Sequence, residues 1–319
     1  MKSNSIEKVA VIGLGNMGHG IAQAFAFGGY EVFGYDEVKS FRDSAQTRIK
    51  ANLLNLNALG LLPRREIELI LSRIHIVERE EEAVQEVQFV TEAVREDLAI
   101  KQALFERIEK NVSPETIFAS NSSTFPITQS ALNLNHPERA IVTHWFNPPH
   151  IVPVVEIVPG LKTSLETTNK TKALLLKIGK DPILIRREIP GFLVNRVQTA
   201  MLREVWDLVD QGVASREDID RAISGTLGFR LAAFGPLQIS DFGGLDILRA
   251  MYAGLAPEIR STSELPTVVK DLVEKGHYGV KTGEGFYAYQ PEVIADLNAK
   301  RDVRLLALRQ LISQWAQCD

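Results

Sequence analysis

Short apolar runs recur through the first 190 residues. Longer stretches separate them, in which apolar positions return every three or four residues. The runs at residues 8–12, 31–35, 89–91, 117–119, 141–143, 152–158 and 182–185 read as strands. The first, K-V-A-V-I, is apolar enough to be buried on both faces. Residues 21–27, 38–61, 64–72 and 100–110 carry helical periodicity. Strands alternating with helices predict right-handed crossovers and a doubly wound parallel α/β sheet. After Pro190-Gly191 the pattern changes: residues 192–211, 216–224, 239–255 and 267–275 are helical in period, and only 285–289 reads as a strand. The expectation is an α/β domain over residues 1–189 and an all-helical domain over 190–319.

The turn after the first strand reads Gly13-Leu14-Gly15-Asn16-Met17-Gly18, a G-x-G-x-x-G between a strand and a helix. In a Rossmann-type domain Gly13 permits the tight turn, Gly15 lets a pyrophosphate approach the backbone, and Gly18 lets the helix pack on the sheet. Gly28-Gly29 closes that helix, and the second strand ends at Asp36, where a carboxylate binds the adenosine ribose hydroxyls. It also repels a 2′-phosphate, so the cofactor expected is NAD rather than NADP. Lys39 is the one nearby cation that weighs the other way. His19, just past the loop, reads as a helix-surface residue.

A second constellation lies in T-H-W-F-N-P-P-H-I-V-P-V-V-E. A loop carrying His144 precedes an apolar strand, and that strand can fold back to bring Glu156 onto the imidazole. A carboxylate bonded to one ring nitrogen fixes the tautomer and leaves the other as acid or base. The alternative is a solvated loop histidine and an unrelated glutamate.

Composition narrows the picture. The chain has 319 residues, 45% hydrophobic and 24% charged, as expected of a soluble globular protein. A net charge of −4 points to neither nucleic acid nor an anionic membrane. A single cysteine, Cys318, makes no internal disulfide, and the six histidines lack metal-ligand spacing. Residues 1–8 are polar and no run reaches a membrane span, so a cytoplasmic protein is expected.

The segments V-I-G-L-G-N-M-G, T-E-A-V-R-E-D-L-A-I-K, F-A-S-N-S-S-T, H-W-F-N-P-P, V-V-E-I-V, P-G-F-L-V-N-R and Y-G-V-K-T-G-E-G-F-Y follow one another in order. With them the chain resembles the 3-hydroxyacyl-CoA dehydrogenase family over nearly its whole length. That resemblance implies a site of Ser123, His144, Glu156 and Asn195. His144 would be the acid–base, Glu156 its orienting partner, and Ser123 and Asn195 would hold the substrate oxygen. Glu96, Lys101 and Lys281 match positions that contact the cofactor, and Asn147 shares the His144 loop. Other readings stay open: Ser123 as a helix cap, Glu96 and Lys101 as solvated helix charges, Asn195 as a surface residue, Lys281 as a turn residue. A homodimer is the family expectation.

The implied reaction is NAD-dependent interconversion of a 3-hydroxyacyl-CoA, such as 3-hydroxybutyryl-CoA, and its 3-oxo form, within fatty acid metabolism. Two departures bring a free 3-hydroxy acid close to parity with it. Residues 51–60 carry no cation where family members place lysines near CoA phosphates. The stretch from Gly228 to Pro236 is longer than the usual turn and contains Arg230, a candidate partner for a substrate carboxylate. The second is similar to the branch that contains gulonate and carnitine dehydrogenases. A catalytically idle, crystallin-like NAD-binding protein is the third reading.

Overall fold

The structure, a computed structural model, describes residues 6–315; Cys318 lies outside the described residues. Eight strands form one sheet in the order β3-β2-β1-β4-β5-β6-β7-β8. They are β1 (Lys8–Ile12), β2 (Glu31–Tyr35), β3 (Ile74–Ile76), β4 (Phe89–Glu92), β5 (Ile117–Ser120), β6 (Ala140–Trp145), β7 (Val154–Pro159) and β8 (Asp181–Leu184). Helices α1 (Gly18–Phe27), α2 (Lys39–Ala58), α3 (Arg64–Ser72), α4 (Glu80–Val84), α5 (Leu98–Glu109), α6 (Ile127–Ser130) and α7 (Leu165–Lys177) flank it. Alternate residues of β1 feed opposite faces. Val9 and Val11 join the core with Phe25, Ile49 and Trp145, while Ala10 and Ile12 join that with Phe105, Phe118 and Phe192.

The sheet is parallel except at β6 and β7, which pair antiparallel. The doubly wound, mostly parallel sheet is the one expected, and the antiparallel pair is where the 152–158 strand folds back. Only residues 146–153 join the two strands, and a parallel crossover needs a dozen or more residues. His144 consequently lies in β6 rather than in a loop, because pairing with β7 carries the strand through Trp145. Strand β3 was missed: three residues cannot display a period. Helix α7 also escaped the pattern; Ser164 caps it, accepting a bond from the Thr167 amide at 3.0 Å.

The chain divides into two compact units. One runs to Leu193 and includes Asp302–Arg309; the other comprises Val194–Arg301 and the chain from Gln310 onward. The second unit contains α8 (Val194–Asp210), α9 (Arg216–Ile223), α10 (Phe229–Ala233), α11 (Pro236–Gly243), α12 (Leu245–Leu255) and α13 (Thr267–Glu274). The expected helix over 239–255 is two helices, broken at Gly244, whose φ is +81°. The turn expected from Gly228 to Pro236 is instead mostly helical: a π-helical turn at Ser224–Gly228 runs into α10. Residues 285–289 form no strand, only the isolated bridge of Ala288 to Glu284. A long helix, α14 (Pro291–Trp315), was not foreseen, since its apolar residues do not gather on one face. No helix among the described residues is long and apolar enough to cross a membrane.

Candidate active site

Each glycine of the β1–α1 turn answers a different steric demand. Gly13 has φ +95°, and a Cβ there would lie 2.5 Å from the Ala93 carbonyl oxygen. A Cβ on Gly18 would lie 1.7 Å from the Gly13 oxygen. Gly15 is the opposite case: its Cβ would meet nothing within 4 Å and would project into open space. Gly15 lines a cleft of about 850 Å³ that also takes in Asn16, Asp36, Phe41, Glu96 and Ser123. A cradle kept clear by a glycine, beside the start of α1, fits a dinucleotide pyrophosphate.

Asp36 lies at one end of this cleft. It accepts bonds from the Leu14 amide (2.6 Å) and the Val38 amide (2.8 Å). Two carboxylate oxygens offer about four acceptor sites, so capacity for ribose hydroxyls remains. The neighbouring cations are already engaged. Lys39 pairs with Asp43 at 3.0 Å, and Arg42 donates to the Asp36 and Glu37 carbonyls and to Glu78. Neither is presented to a 2′-phosphate, so the residues fit NAD. Arg48, which sequence reasoning missed, donates to the carbonyls of Leu14 (2.6 Å) and Gly15 (3.1 Å) and braces the turn. His19 sits against Arg48 and Gly15, half-buried; desolvation and the Arg48 charge outweigh the Gly15 bond and lower its pKa.

His144 and Glu156 face each other in the β6–β7 register. His144 Nδ1 lies 2.7 Å from Glu156 Oε2, and both side chains are buried. The other carboxylate oxygen accepts from the Leu193 amide at 3.2 Å. The imidazole is packed between Phe146 and Phe192, with ring centroids at 4.5 and 5.6 Å. Phe192 holds a left-handed φ of +48° while fully buried, a strained conformation for a bulky residue. With Glu156 holding Nδ1, Nε2 is the nitrogen left to exchange a proton.

At the other end of the cleft, Glu96 organises the turn after β5. One of its oxygens accepts from Ser122 Oγ (2.7 Å), the Ser123 amide (2.9 Å), the Thr124 amide (3.0 Å) and Thr124 Oγ1 (2.8 Å). Burial works to raise the Glu96 pKa. The Lys101 charge and the hydrogen bonds outweigh it and hold the carboxyl below its usual range. Lys101 itself is 1% exposed, its ammonium between Glu92 (2.7 Å) and Glu96 (3.1 Å). It therefore stands behind the cleft wall, not as a solvated helix charge. Ser123 does not cap α6, whose N-cap is Pro126; it lines the cleft instead. Asn121, another residue the sequence did not single out, accepts from the Trp145 amide at 2.9 Å and ties this turn to the strand of His144.

Asn147 is exposed and precedes Pro148 at the start of the β6–β7 connection. Buried Lys180 holds that connection by donating to the carbonyls of Pro149 (2.6 Å) and Val152 (2.7 Å). Burial, with Arg309 adding to it, lowers the Lys180 pKa to about 7. In the second unit Asn195 is half-buried in the first turn of α8. Arg230 is exposed on α10, its Nε donating to the Thr226 carbonyl at 3.3 Å. Lys281 is exposed in a short 3-10 turn, its ammonium 5.0 Å from the Tyr278 ring.

The NAD-binding-domain model of the 3-hydroxyacyl-CoA dehydrogenase family matches residues 8–189, and its C-terminal-domain model matches residues 191–289. The 5-formyl-3-hydroxy-2-methylpyridine 4-carboxylate 5-dehydrogenase of Mesorhizobium japonicum is 34% identical, over 96% of this chain and 98% of that protein. The probable 3-hydroxybutyryl-CoA dehydrogenase of Bacillus subtilis is 35% identical, over 89% of this chain and 98% of that protein. A crystal structure of a 5-formyl-3-hydroxy-2-methylpyridine 4-carboxylic acid 5-dehydrogenase, an NAD+-dependent dismutase, superposes with a TM-score of 0.90. It has 34% identity and covers 97% of this chain and 99% of that one. The glycine cradle, the Asp36 carboxylate beside it and these likenesses agree: the chain belongs to the 3-hydroxyacyl-CoA dehydrogenase family and is an NAD-dependent dehydrogenase.

Proposed function

We propose that the chain interconverts a secondary alcohol and a ketone on a small free hydroxy acid, with His144 as the acid–base. NAD supplies the hydride acceptor for oxidation and, when reduced, the donor for the reverse. Glu156 holds Nδ1–H, so Nε2 takes the alcohol proton as the carbonyl forms. Its carboxylate then stabilises the imidazolium in a buried setting where charge is poorly screened. Ser123 and Asn195 hold the substrate oxygen, and Asn147 and Lys281 complete the cofactor contacts. The observation that carries the chemistry is the buried 2.7 Å His144–Glu156 pair.

The placement of the cations supports this substrate class. On α2, Lys39 pairs with Asp43, Lys50 pairs with Glu68 at 3.0 Å, and Arg42 and Arg48 bind backbone carbonyls. Each of these cations has a partner within the chain, which disfavours a CoA phosphate here. Arg230 pairs with no carboxylate among the described residues, which suits it to a substrate carboxylate. The likeness to a pyridine-acid dehydrogenase also extends further along the chain (96%) than the likeness to the B. subtilis acyl-CoA relative (89%). A panel with NAD tests this: 3-hydroxybutyrate, gulonate and carnitine against 3-hydroxybutyryl-CoA, with acetoacetyl-CoA and NADH for the reverse. Efficient turnover of the CoA esters with none of the free acids would overturn the free-acid reading.

The active form is proposed to be a homodimer. Helices α8 and α10–α13 bury no residue, and Phe229, Leu237, Phe242 and Tyr252 are each more than 70% exposed. Apolar surface on that scale supports an interface with a second copy. Light scattering giving the mass of one chain at micromolar concentration would refute it.

A further inference from the structure

The end of the cleft opposite Asp36 is backed by a triad of charges: Glu92 and Lys101 are buried, and Glu96 is exposed on the wall. Glu92, at the end of β4, is fully buried. One of its oxygens accepts from the Lys101 ammonium (2.7 Å) and the Val94 amide (2.8 Å), the other from Ser120 Oγ (2.6 Å). Every one of these partners is a donor, the surroundings of an ionised carboxylate. Lys101 passes its remaining contact to Glu96, which lines the cleft beside Ser123 and Asn121. Two carboxylates and one ammonium leave a net charge of −1. Of the other charged residues on the wall near α5, Arg95 lies 3.6 Å from Asp97 and Arg107 lies 2.6 Å from Glu80, so neither pair adds net charge.

Fixed charge matters here because the two redox forms of the cofactor differ in charge: the nicotinamide ring is cationic in NAD+ and neutral in NADH. We infer that Glu92 is a positioning residue that sets this charge: with Lys101 and Glu96 it favours the oxidised cofactor over the reduced one. The inference rests on the reading of the cleft as the dinucleotide site, with the nicotinamide at the Glu96 end. Glu92 acts through the triad and touches neither substrate nor cofactor. Its burial keeps the charge unscreened by salt, and its three donors keep it in place. A carboxylate there without Lys101 would be costly to bury; the ammonium compensates one of the two negative charges and leaves the other expressed at the wall.

The test is the ratio of equilibrium affinities for NAD+ and NADH, measured without substrate by calorimetry and by NADH fluorescence. Glu92→Gln keeps shape and removes one negative charge. It should weaken NAD+ relative to NADH about tenfold, the effect of a unit charge acting over about 12 Å at an effective dielectric near 20. The double variant Glu92→Gln/Lys101→Met restores the net charge of −1 while disturbing the packing further. Its ratio should return to that of the unaltered protein, whereas a purely structural role predicts a larger loss. If Glu92→Gln does not fold, Glu96→Gln removes the same charge from the cleft side and should shift the ratio in the same direction. An unchanged ratio in a folded single variant, or no recovery in the double variant, overturns the inference. Asp36→Ala separates the two readings. If it leaves both affinities intact, the cleft reading itself fails; if it weakens both while Glu92→Gln leaves the ratio alone, only the charge inference fails.

Discussion

Replacing Glu156 with glutamine tests the proposed chemistry most directly. The carboxylate accepts from both sides, from His144 Nδ1 at 2.7 Å and from the Leu193 amide at 3.2 Å. Glutamine has one acceptor oxygen and one NH2 group. If its oxygen faces Leu193, its NH2 faces Nδ1, which must then accept, and the proton moves to Nε2. The nitrogen that should take the alcohol proton is blocked. If its oxygen faces His144, the tautomer survives, but the imidazolium formed during oxidation loses its counter-charge. A unit charge pair at about 4 Å and an effective dielectric near 20 interacts by about 4 kcal/mol. The amide dipole recovers part of this, leaving about 3–4 kcal/mol, or about 100- to 1,000-fold in kcat. The assay is NADH formation at saturating NAD+ and substrate, with a deuterated substrate to show that hydride transfer limits the rate. NAD+ affinity should stay within a factor of about two, because Glu156 lies outside the cleft wall. A variant that folds, shows the isotope effect and keeps kcat would refute the dyad.

Asp36→Ala should narrow the preference for NAD over NADP, measured as the ratio of kcat/KM values; equal use of both cofactors by the unaltered protein would contradict the assignment. Arg230→Met should raise KM for the free acid tenfold or more, about the strength of a charge-assisted pair, with little change in kcat; an unchanged KM on the preferred acid would remove Arg230 from recognition. Lys180 titrates near pH 7 in the folded protein against 10.5 for an ordinary lysine, so between these values the unfolded chain binds the extra proton and stability rises with pH. Urea unfolding of the unaltered protein and Lys180→Met should therefore diverge in favour of the unaltered protein from about pH 7 upward and run parallel below it. A pH-independent difference would show that Lys180 is not suppressed by burial.

The parts legible in the sequence were those with a local signature. The glycine turn, the two flanking strands and Asp36 lie within 29 residues and announce themselves by spacing. His144 and Glu156 were legible because a short connection forces a fold-back, although the strand direction that this implies for the sheet went unread. What remained hidden depends on partners distant in sequence. Glu92 looks like any strand-end acid until Lys101 and Ser120 are seen to converge on it. Lys180 follows a glycine like many helix-terminal lysines, and only the fold brings it to the Pro149 and Val152 carbonyls. The helical stretch at Phe229–Ala233 was hidden by its flanking glycines and by the π-helical turn before it, a geometry with no simple period.

The antiparallel pairing of β6 and β7 makes the dyad tolerant of one kind of change and intolerant of another. Paired residues obey a fixed sum: Ile141 with Pro159, Thr143 with Ile157, His144 with Glu156. Lengthening the connection between the strands leaves every pair intact. Inserting one residue between His144 and the end of β6, or between the start of β7 and Glu156, shifts the two functional positions out of opposition. The slipped strand also turns its core residues to the other face. The connecting loop is therefore open to insertion and grafting as far as proton transfer is concerned, while the two six-residue strands are not. Variation in what this scaffold binds can accumulate at the hairpin tip without disturbing the acid–base pair beneath it.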